Sequence, residues 1–181
     1  PIEEPLAQQE LARTNLEKLR QTAPQWYPLA AYLSGKGFDL YRNTALRYLP
    51  TGEAYLEDML TTLDTAQRFI FLEYFIMAEG EIWDRLSDIL CRKSRQGVEV
   101  KLIFDDFGSM MRMPNEKIDA LQDAGVEVRV FNPVHHYVNR LYFNYRDHRK
   151  ITCVDGDIAY TGGANIADEY ANLIERFGYW K

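Results

Sequence analysis

The sequence predicts an α/β fold in which a mainly parallel sheet is sandwiched between helices. Segments with apolar residues at helical spacing alternate with short apolar runs that are typical of buried strands. Two of the helices end at a glycine that leads directly into a strand, in Gly97-VEVKLIF and in Gly125-VEVRVF. Strands that alternate with helices of about 10–15 residues form β-α-β units, whose strands lie parallel.

Regular alternation of helices and strands is predicted from residue 51 onwards. Thr51 is a suitable N-cap for a helix that carries an apolar stripe through Leu56 and Leu63. The near-continuous apolar run over 68–78 predicts a strand covered on both faces. The other predicted elements are helices over 81–96 and 114–124, strands over 98–105 and 126–132, and two short strands between 150 and 163.

The amino-terminal part of the chain has a different character. Residues 1–22 are polar, with leucines at weak helical spacing, and predict a helical arm. Residues 23–50 contain three prolines and two glycines and are predicted to be irregular. We therefore expect an arm and linker over residues 1–45 and one catalytic half-domain over 46–181.

Composition and charge limit the possible functions. The net charge of −6 does not suit a general binder of polyanions, so any attraction for phosphate must be local. It is local in residues 140–150, RLYFNYRDHRK, which hold four basic residues against one acid. No apolar run approaches the ~18 residues that a membrane span needs. The two cysteines have no zinc-site spacing, and we expect them to be reduced.

The most informative motif is H-x-K-x4-D-x6-G-G-x-N, in HRKITCVDGDIAYTGGAN over residues 148–165. It spans two predicted strands joined by a tight turn at Asp155-Gly156. Because side chains alternate along a strand, His148 and Lys150 should project from one side and Arg149 from the other. An imidazole next to an ammonium group can attack a phosphodiester or protonate its leaving group, while the ammonium holds a phosphate oxygen.

The second half of the motif suits the same chemistry. Gly162 and Gly163 would let the backbone come close to a phosphate, and the amide of Asn165 could donate a hydrogen bond to a nonbridging oxygen. The sequence has three histidines and no carboxylate cluster with metal-ligand spacing. We therefore expect a site that uses no metal and no cofactor.

These residues resemble the signature of the phospholipase D superfamily, H-x-K-x4-D followed by G-G-x-N. The resemblance covers about residues 45–181 and is greatest to the first catalytic half of bacterial cardiolipin synthases. It implies that His148 is the nucleophile or acid, that Lys150 and Asn165 bind phosphate, and that Asp155 is a structural or orienting acid. The segments that carry it are LPTGEAYLEDML, FIFLEYFI, GVEVKLIFDDFGS, FNP and HRKITCVDGDIAYTGGANIADEY.

The chain departs from the family in one respect. Members of the superfamily combine two such motifs in one site, whereas this sequence contains one, and neither His135 nor His136 has a lysine two residues later. The resemblance therefore implies half an active site. The other half would come from a carboxyl-terminal part outside this chain or from a second copy in a homodimer. We expect the isolated chain to be active only if two copies pair.

An acid downstream of the motif usually orients the histidine in this family. Glu169 and Glu175 are the downstream candidates in this sequence. Glu73 is a further possible supporting residue, because a carboxylate within an apolar run needs a partner. A plain structural ion pair would explain Glu73 equally well.

The activity that the resemblance implies is phosphatidyl transfer. One phosphatidylglycerol would donate its phosphatidyl group to a histidine, and a second would accept it, which yields cardiolipin and glycerol. The expected partners are anionic phospholipid and the second motif-bearing half. The implied location of the parent protein is the cytoplasmic face of the cell membrane, anchored by segments outside this chain, while the chain itself is expected to be soluble.

Two other classes of function remain open from the sequence. One is a phosphodiesterase, either a phospholipase or a nuclease, that uses water as acceptor, although the negative net charge argues against nucleic acid as a partner. The other is a catalytically silent half that binds phospholipid head groups. The aromatic and basic residues over 137–146 would suit the interface of an anionic membrane or packing against the sheet.

Overall fold

The computed structural model describes residues 6–134, 144–176 and 178–180. The chain divides into two compact units, residues 1–48 and 49–181. The helices are α1 Leu6–Thr22, α2 Tyr27–Ser34, α3 Gly52–Leu63, α4 Glu81–Arg95, α5 Asp106–Ser109 and α6 Asn115–Asp123, with 3-10 segments at Pro24–Trp26 and Asp168–Ala171. The strands are β1 Phe69–Tyr74, β2 Glu99–Asp105, β3 Glu127–Phe131, β4 Lys150–Val154 and β5 Ile158–Thr161.

The first unit is a pair of packed helices. Its long helix α1 agrees with the predicted arm, but the prediction that residues 23–50 are wholly irregular is wrong, because α2 forms within them. Pro28 lies in the first turn of α2, where a helix does not need the N–H group that proline lacks. The buried amide of Asn15 donates to the carbonyl of Leu40 at 2.8 Å and ties the end of this unit to α1.

The second unit contains a five-stranded sheet in the order β3-β2-β1-β4-β5. The predicted α/β class is confirmed, and the sheet is mixed: β1, β2 and β3 are parallel, while β4 runs antiparallel to both β1 and β5. The turn between β4 and β5 has φ of 56° at Asp155 and 79° at Gly156. These left-handed values are those of the tight turns that join antiparallel strands.

Three helices cover one face of the sheet. α3, α4 and α6 lie side by side and pack against β4, β2 and β3 respectively. Thr51 caps α3, as predicted, and its hydroxyl oxygen accepts from the N–H of Ala54 at 3.3 Å. Among the described residues, no helix combines the length and apolarity needed to cross a bilayer.

Strand β1 shows how differently the two faces are covered. Ile70, Leu72 and Tyr74 are buried under the helices, whereas Phe71 and Glu73 on the other face are half-buried. In the part of the chain that the structure describes, that second face borders an open cavity of about 290 Å³ rather than the predicted helical cover. β1 thus carries apolar residues on both faces, and the described helices cover only the face of Ile70, Leu72 and Tyr74.

The strand directions bring several chain segments to one edge of the sheet. β1, β2 and β3 end at this edge because they are parallel, and the antiparallel β4 begins there, with Lys150 opposite Tyr74. β5 also ends there, with Thr161 opposite Ile151. The segments that follow β1, β2 and β5 therefore meet the segment that precedes β4, and this is where the first half of the sequence motif lies.

Candidate functional site

His148 and Lys150 meet at the ring of Phe75, the residue after β1. The imidazole of His148 is exposed, and its centroid lies 4.8 Å from that of Phe75 with the two planes tilted by 57°. The ammonium of Lys150 lies 5.2 Å from the same ring centroid. Arg149 is directed away from this ring and pairs with Glu73 at 3.0 Å. His148 and Lys150, the two side chains predicted to act on phosphate, therefore lie together, and Phe75 is a contact that the sequence did not indicate.

Lys150 is unusual for a charged residue because only 4% of its surface is exposed. Its ammonium donates to the backbone carbonyl of His148 at 2.6 Å. Burial lowers the pKa of Lys150, and the negative charge of Asp147 opposes that effect. A charged group held in a poorly solvated place acts more strongly on an approaching phosphate than the same group in water.

Asn165 is buried at the same edge. Its amide oxygen accepts from the N–H of Ile76 at 2.9 Å, and its amide nitrogen donates to the hydroxyl of Tyr170 at 2.8 Å. These contacts attach the G-G-x-N segment to the end of β1. An amide nitrogen carries two hydrogens, so phosphate binding by Asn165 stays a prediction that involves the second one.

Gly162 and Gly163 follow β5 and are exposed. A Cβ atom at Gly162 would meet no atom of the described residues within 4 Å, and one at Gly163 would come no closer than 3.9 Å, to the ring of Trp180. Folding alone does not demand the absence of a side chain at these positions. The free space leaves their backbone open to a ligand, which is what phosphate binding requires.

Asp155 lies at the opposite end of β4 from the histidine. Its carboxylate accepts from the backbone N–H groups of Gln67, Arg68 and Phe69 at 2.8, 2.7 and 2.9 Å. These hydrogen bonds, that of Phe69 first, lower the pKa of Asp155. The contacts of Asp155 hold the start of β1 against the β4–β5 turn.

Two of the three candidate orienting acids, Glu169 and Glu73, are paired with arginines. Glu169, which is buried, forms ion pairs with Arg112 at 2.7 Å and with Arg176 at 3.3 Å. Glu73 pairs with Arg149, and its pKa is raised by partial burial and by the neighbouring carboxyl of Asp147. Glu175 is exposed. Among the described residues, none of these acids contacts the imidazole of His148, and the choice of an orienting acid stays a prediction.

Asp105 is a site residue that the motif did not include. It is fully buried, and its carboxylate accepts from the backbone N–H of Asp147 at 3.0 Å and from Arg146 at 3.4 Å. It also caps α5 by accepting from the N–H of Gly108 at 3.2 Å. The acid pair at the end of a predicted strand, in FDDFGS, was the available signal, because such positions gather at the functional edge of an α/β sheet.

Two sequence predictions concern residues that the structure does not describe. One concerns His135 and His136, and the other concerns the aromatic and basic segment over 137–146, of which only 144–146 are described. Tyr145, at the end of that segment, is exposed, and its carbonyl accepts from the amide of Asn132 at 2.6 Å. Within the described ranges, no group of three or more His, Cys, Asp or Glu side chains is arranged to hold a metal ion.

Comparison with known proteins shows which family and which relatives this chain is similar to. Residues 59–174 match the family model described as "Cardiolipin synthase, PLD-like domain". The chain is 44% identical over 167 residues to an uncharacterized protein of Streptococcus mutans, and the aligned region covers 92% of this chain and 36% of that protein. It is 38% identical over 152 residues to a cardiolipin synthase of Oceanobacillus iheyensis, which covers 84% of this chain and 30% of that enzyme.

The chain thus spans about a third of the length of these relatives. Among solved structures, NucT from Helicobacter pylori superimposes with a TM-score of 0.50 at 13% identity, over 66% of this chain and 72% of that one. At this identity the likeness concerns the fold alone.

Proposed function

Because this chain belongs to the family of phospholipase D-like domains of cardiolipin synthases, we propose that its His148 site transfers a phosphatidyl group between phospholipid molecules. The proposed donor and acceptor are both phosphatidylglycerol, and the products are cardiolipin and glycerol. The observation that carries the proposal is the pairing of an exposed imidazole with a buried ammonium on the ring of Phe75. A phosphodiester presents both an electrophilic phosphorus and the anionic oxygens that such a pair can address.

In the first step, a ring nitrogen of His148 attacks the phosphorus of the donor. A P–N bond forms, the P–O bond to the terminal glycerol breaks, and the glycerol oxygen takes a proton from an acid. The ammonium of Lys150 neutralises the charge that develops on the nonbridging oxygens, and the open backbone at Gly162 allows those oxygens to approach. The intermediate is a phosphatidyl-histidine.

In the second step, a hydroxyl group of another phosphatidylglycerol attacks the phosphorus. Its proton passes to the group that served as the acid, the new P–O bond forms, and the electron pair of the P–N bond returns to the imidazole. The sum of the two steps is two phosphatidylglycerols converted into one cardiolipin and one glycerol. Neither step changes an oxidation state.

The His148 and Lys150 pair leaves the acid of the first step to another group. The family pattern assigns it to a second histidine motif, which this sequence does not contain. We propose that the remainder of a longer chain or a second copy of this one supplies it. Anionic phospholipid is then the substrate partner, a membrane surface is the working location, and nucleic acid is not an expected ligand.

A donor that needs no acid tests the role of His148 within this chain. The p-nitrophenyl ester of phosphatidic acid, dispersed in neutral lipid vesicles, releases a phenolate that is stable without protonation. We expect a burst of p-nitrophenolate of up to one equivalent per chain, and no burst from His148→Ala. His135→Ala is the matched control, because it removes a histidine without a lysine two residues later, and it should keep the burst.

A burst of equal size in His148→Ala would contradict the proposal, because another group would then be the nucleophile. A second assay identifies the acceptor with phosphatidylglycerol vesicles over a range of protein concentrations. Cardiolipin formed at a rate that rises faster than linearly with protein would mean that two copies complete the site. Phosphatidic acid in place of cardiolipin would assign water as the acceptor.

A further inference from the structure

Phe75 contacts both functional side chains of the motif. It is half-buried just beyond the end of β1, with the imidazole of His148 at 4.8 Å and the ammonium of Lys150 at 5.2 Å from its ring centroid. Aromatic faces attract cations electrostatically, and tilted aromatic pairs at this separation are favourable. One ring can therefore hold two side chains of another chain segment, that of Lys150 at the start of β4 and that of His148 two residues before it.

The backbone beneath this ring is held from two sides. The buried hydroxyl of Ser109 donates to the carbonyl of Phe75 at 3.3 Å and accepts from the N–H of Met77 at 3.0 Å. On the other side, Asn165 accepts from the N–H of Ile76 at 2.9 Å. The ring therefore projects from a segment whose polar groups are already engaged.

Gly108 adds a steric constraint on the same segment. A Cβ atom at Gly108 would lie 2.2 Å from the carbonyl oxygen of Phe75 and 3.1 Å from its ring. The turn of α5 thus packs directly against the residue that carries the ring. A ring fixed in this way can set the position of groups that rest on it, which a mobile side chain cannot do.

We infer that Phe75 is a positioning residue, whose ring fixes the orientation of the His148 imidazole and of the Lys150 ammonium relative to each other. This inference rests on the proposed function, in which those two groups act together on one phosphodiester. It assigns to Phe75 no contact with the reacting atoms. The aromatic face also compensates part of the hydration that Lys150 loses on burial.

Three variants separate this role from general packing. Phe75→Leu removes the ring, and Phe75→Tyr retains an aromatic face. Phe71→Leu is the matched control, because Phe71 lies on β1, the strand that Phe75 directly follows, and borders the open face of the sheet. Its ring also has an aromatic neighbour, Phe69 at 4.5 Å, and a cation, the ammonium of Lys101 at 5.5 Å. Each variant is compared with the unchanged chain.

The first measurement is the NMR spectrum of the His148 ring protons, assigned by their loss in His148→Ala. In the unchanged chain we expect nuclear Overhauser contacts between these protons and those of Phe75. Phe75→Leu should shift the His148 resonances because the ring current is gone, whereas Phe75→Tyr and Phe71→Leu should leave them in place. Absence of the contacts in the unchanged chain would overturn the inference without the need for any folded variant.

The second measurement is the rate constant of the p-nitrophenolate burst. Misplacement of a reacting group by about 1 Å can cost up to about 100-fold, so we expect a loss of about tenfold to 100-fold in Phe75→Leu. Phe75→Tyr should recover most of the rate, and Phe71→Leu should not change it. An unchanged rate and unchanged His148 resonances in a folded Phe75→Leu chain would overturn the inference. If the unchanged chain gives no burst, the proposed function fails, and the NMR contacts alone decide the position of Phe75.

Discussion

The buried carboxylate of Asp105 accepts a hydrogen bond from the backbone N–H of Asp147 at 3.0 Å. Asp105 ends β2, and Asp147 immediately precedes His148, so this bond joins the end of a central strand to the approach of the motif. The guanidinium of Arg146, whose side chain is 12% exposed, lies 3.4 Å from the same carboxylate. The backbone next to His148 is therefore held by Asp105, which is 42 positions before Asp147 in the sequence.

We predict that Asp105→Ala destabilises the second unit. The substitution leaves Arg146, the N–H of Asp147 and the first turn of α5 without their shared acceptor. Loss of one partner in such a buried network costs about 2–4 kcal/mol in the free energy of unfolding. Chemical denaturation followed by circular dichroism would measure this. Asp119→Ala, on the exposed side of α6, is the control and should leave the midpoint unchanged.

Lys150→Met should separate stability from activity. Burial lowers the pKa of Lys150, which means that the folded chain disfavours the charged form relative to the unfolded chain. The charge therefore weakens the fold at neutral pH, and methionine should leave the melting temperature unchanged or raise it.

The burst of p-nitrophenolate should fall by about 100-fold or more in the same variant, since the cation that neutralises the phosphate oxygens is gone. Lys101→Met, which removes an ammonium that is about half exposed and lies away from His148, should leave the burst unchanged. A stable Lys150→Met chain with full activity would remove Lys150 from the site.

Replacement by alanine should affect the stability of the fold at only one of two glycines near the site, Gly162 and Gly108. Gly162→Ala places a methyl group in open space, so the free energy of unfolding should change by less than about 0.5 kcal/mol. The burst rate should nevertheless fall about tenfold, because the methyl group would occupy the approach of the phosphate.

Gly108→Ala should be destabilising by about 1–3 kcal/mol, since its methyl group would overlap the carbonyl oxygen of Phe75. Thermal unfolding of the two variants in parallel checks both expectations. A Gly162→Ala chain that keeps the full burst rate would argue against an approach of phosphate at that backbone.

Glu169→Gln should make stability less dependent on pH. Burial alone would raise the pKa of Glu169, but the hydrogen bond and charge of Arg112, together with Arg176, outweigh burial and lower it. A lowered folded pKa means that the carboxylate stabilises the fold above its ordinary pKa of 4.5, and that this contribution disappears as the pH falls through the folded value.

The free energy of unfolding of the unchanged chain should therefore exceed that of Glu169→Gln by about 1–3 kcal/mol at neutral pH, and the difference should shrink in acid. Denaturant titrations at several pH values give the comparison. Glu175→Gln, at an exposed acid, should match the unchanged chain throughout. A difference that grew as the pH fell would contradict the assignment of the Arg112 pair.

The sequence predicted most of the second unit because its signals are local. Thr51 at the start of α3, and Gly97 and Gly125 before β2 and β3, act within one turn of the chain. The parallel order of β1 to β3 followed from the β-α-β pattern. The helix α2 was missed because the composition around Pro28 indicated a loop, although proline is compatible with the first turn of a helix.

The motif identified His148 and Lys150, but not what surrounds them. Asp155 belongs to the same motif but lies at the opposite end of β4 from His148, beside the start of β1. Phe75 and Asp105 come to the histidine from the ends of β1 and β2. The motif spacing is a property of one hairpin, while these contacts depend on which strands are its neighbours.

The sequence by itself determined the α/β class, the hairpin that carries the motif, and the chemical types that meet there. Only the tertiary structure decided which acid pairs with which cation: Glu169 with Arg112, 57 positions apart, and Glu73 with Arg149, 76 positions apart. Caps, turns and alternation act over a few residues, and one chain segment carries them completely. The pairing of distant charges follows from the order and direction of the strands, which the whole core stabilises at once.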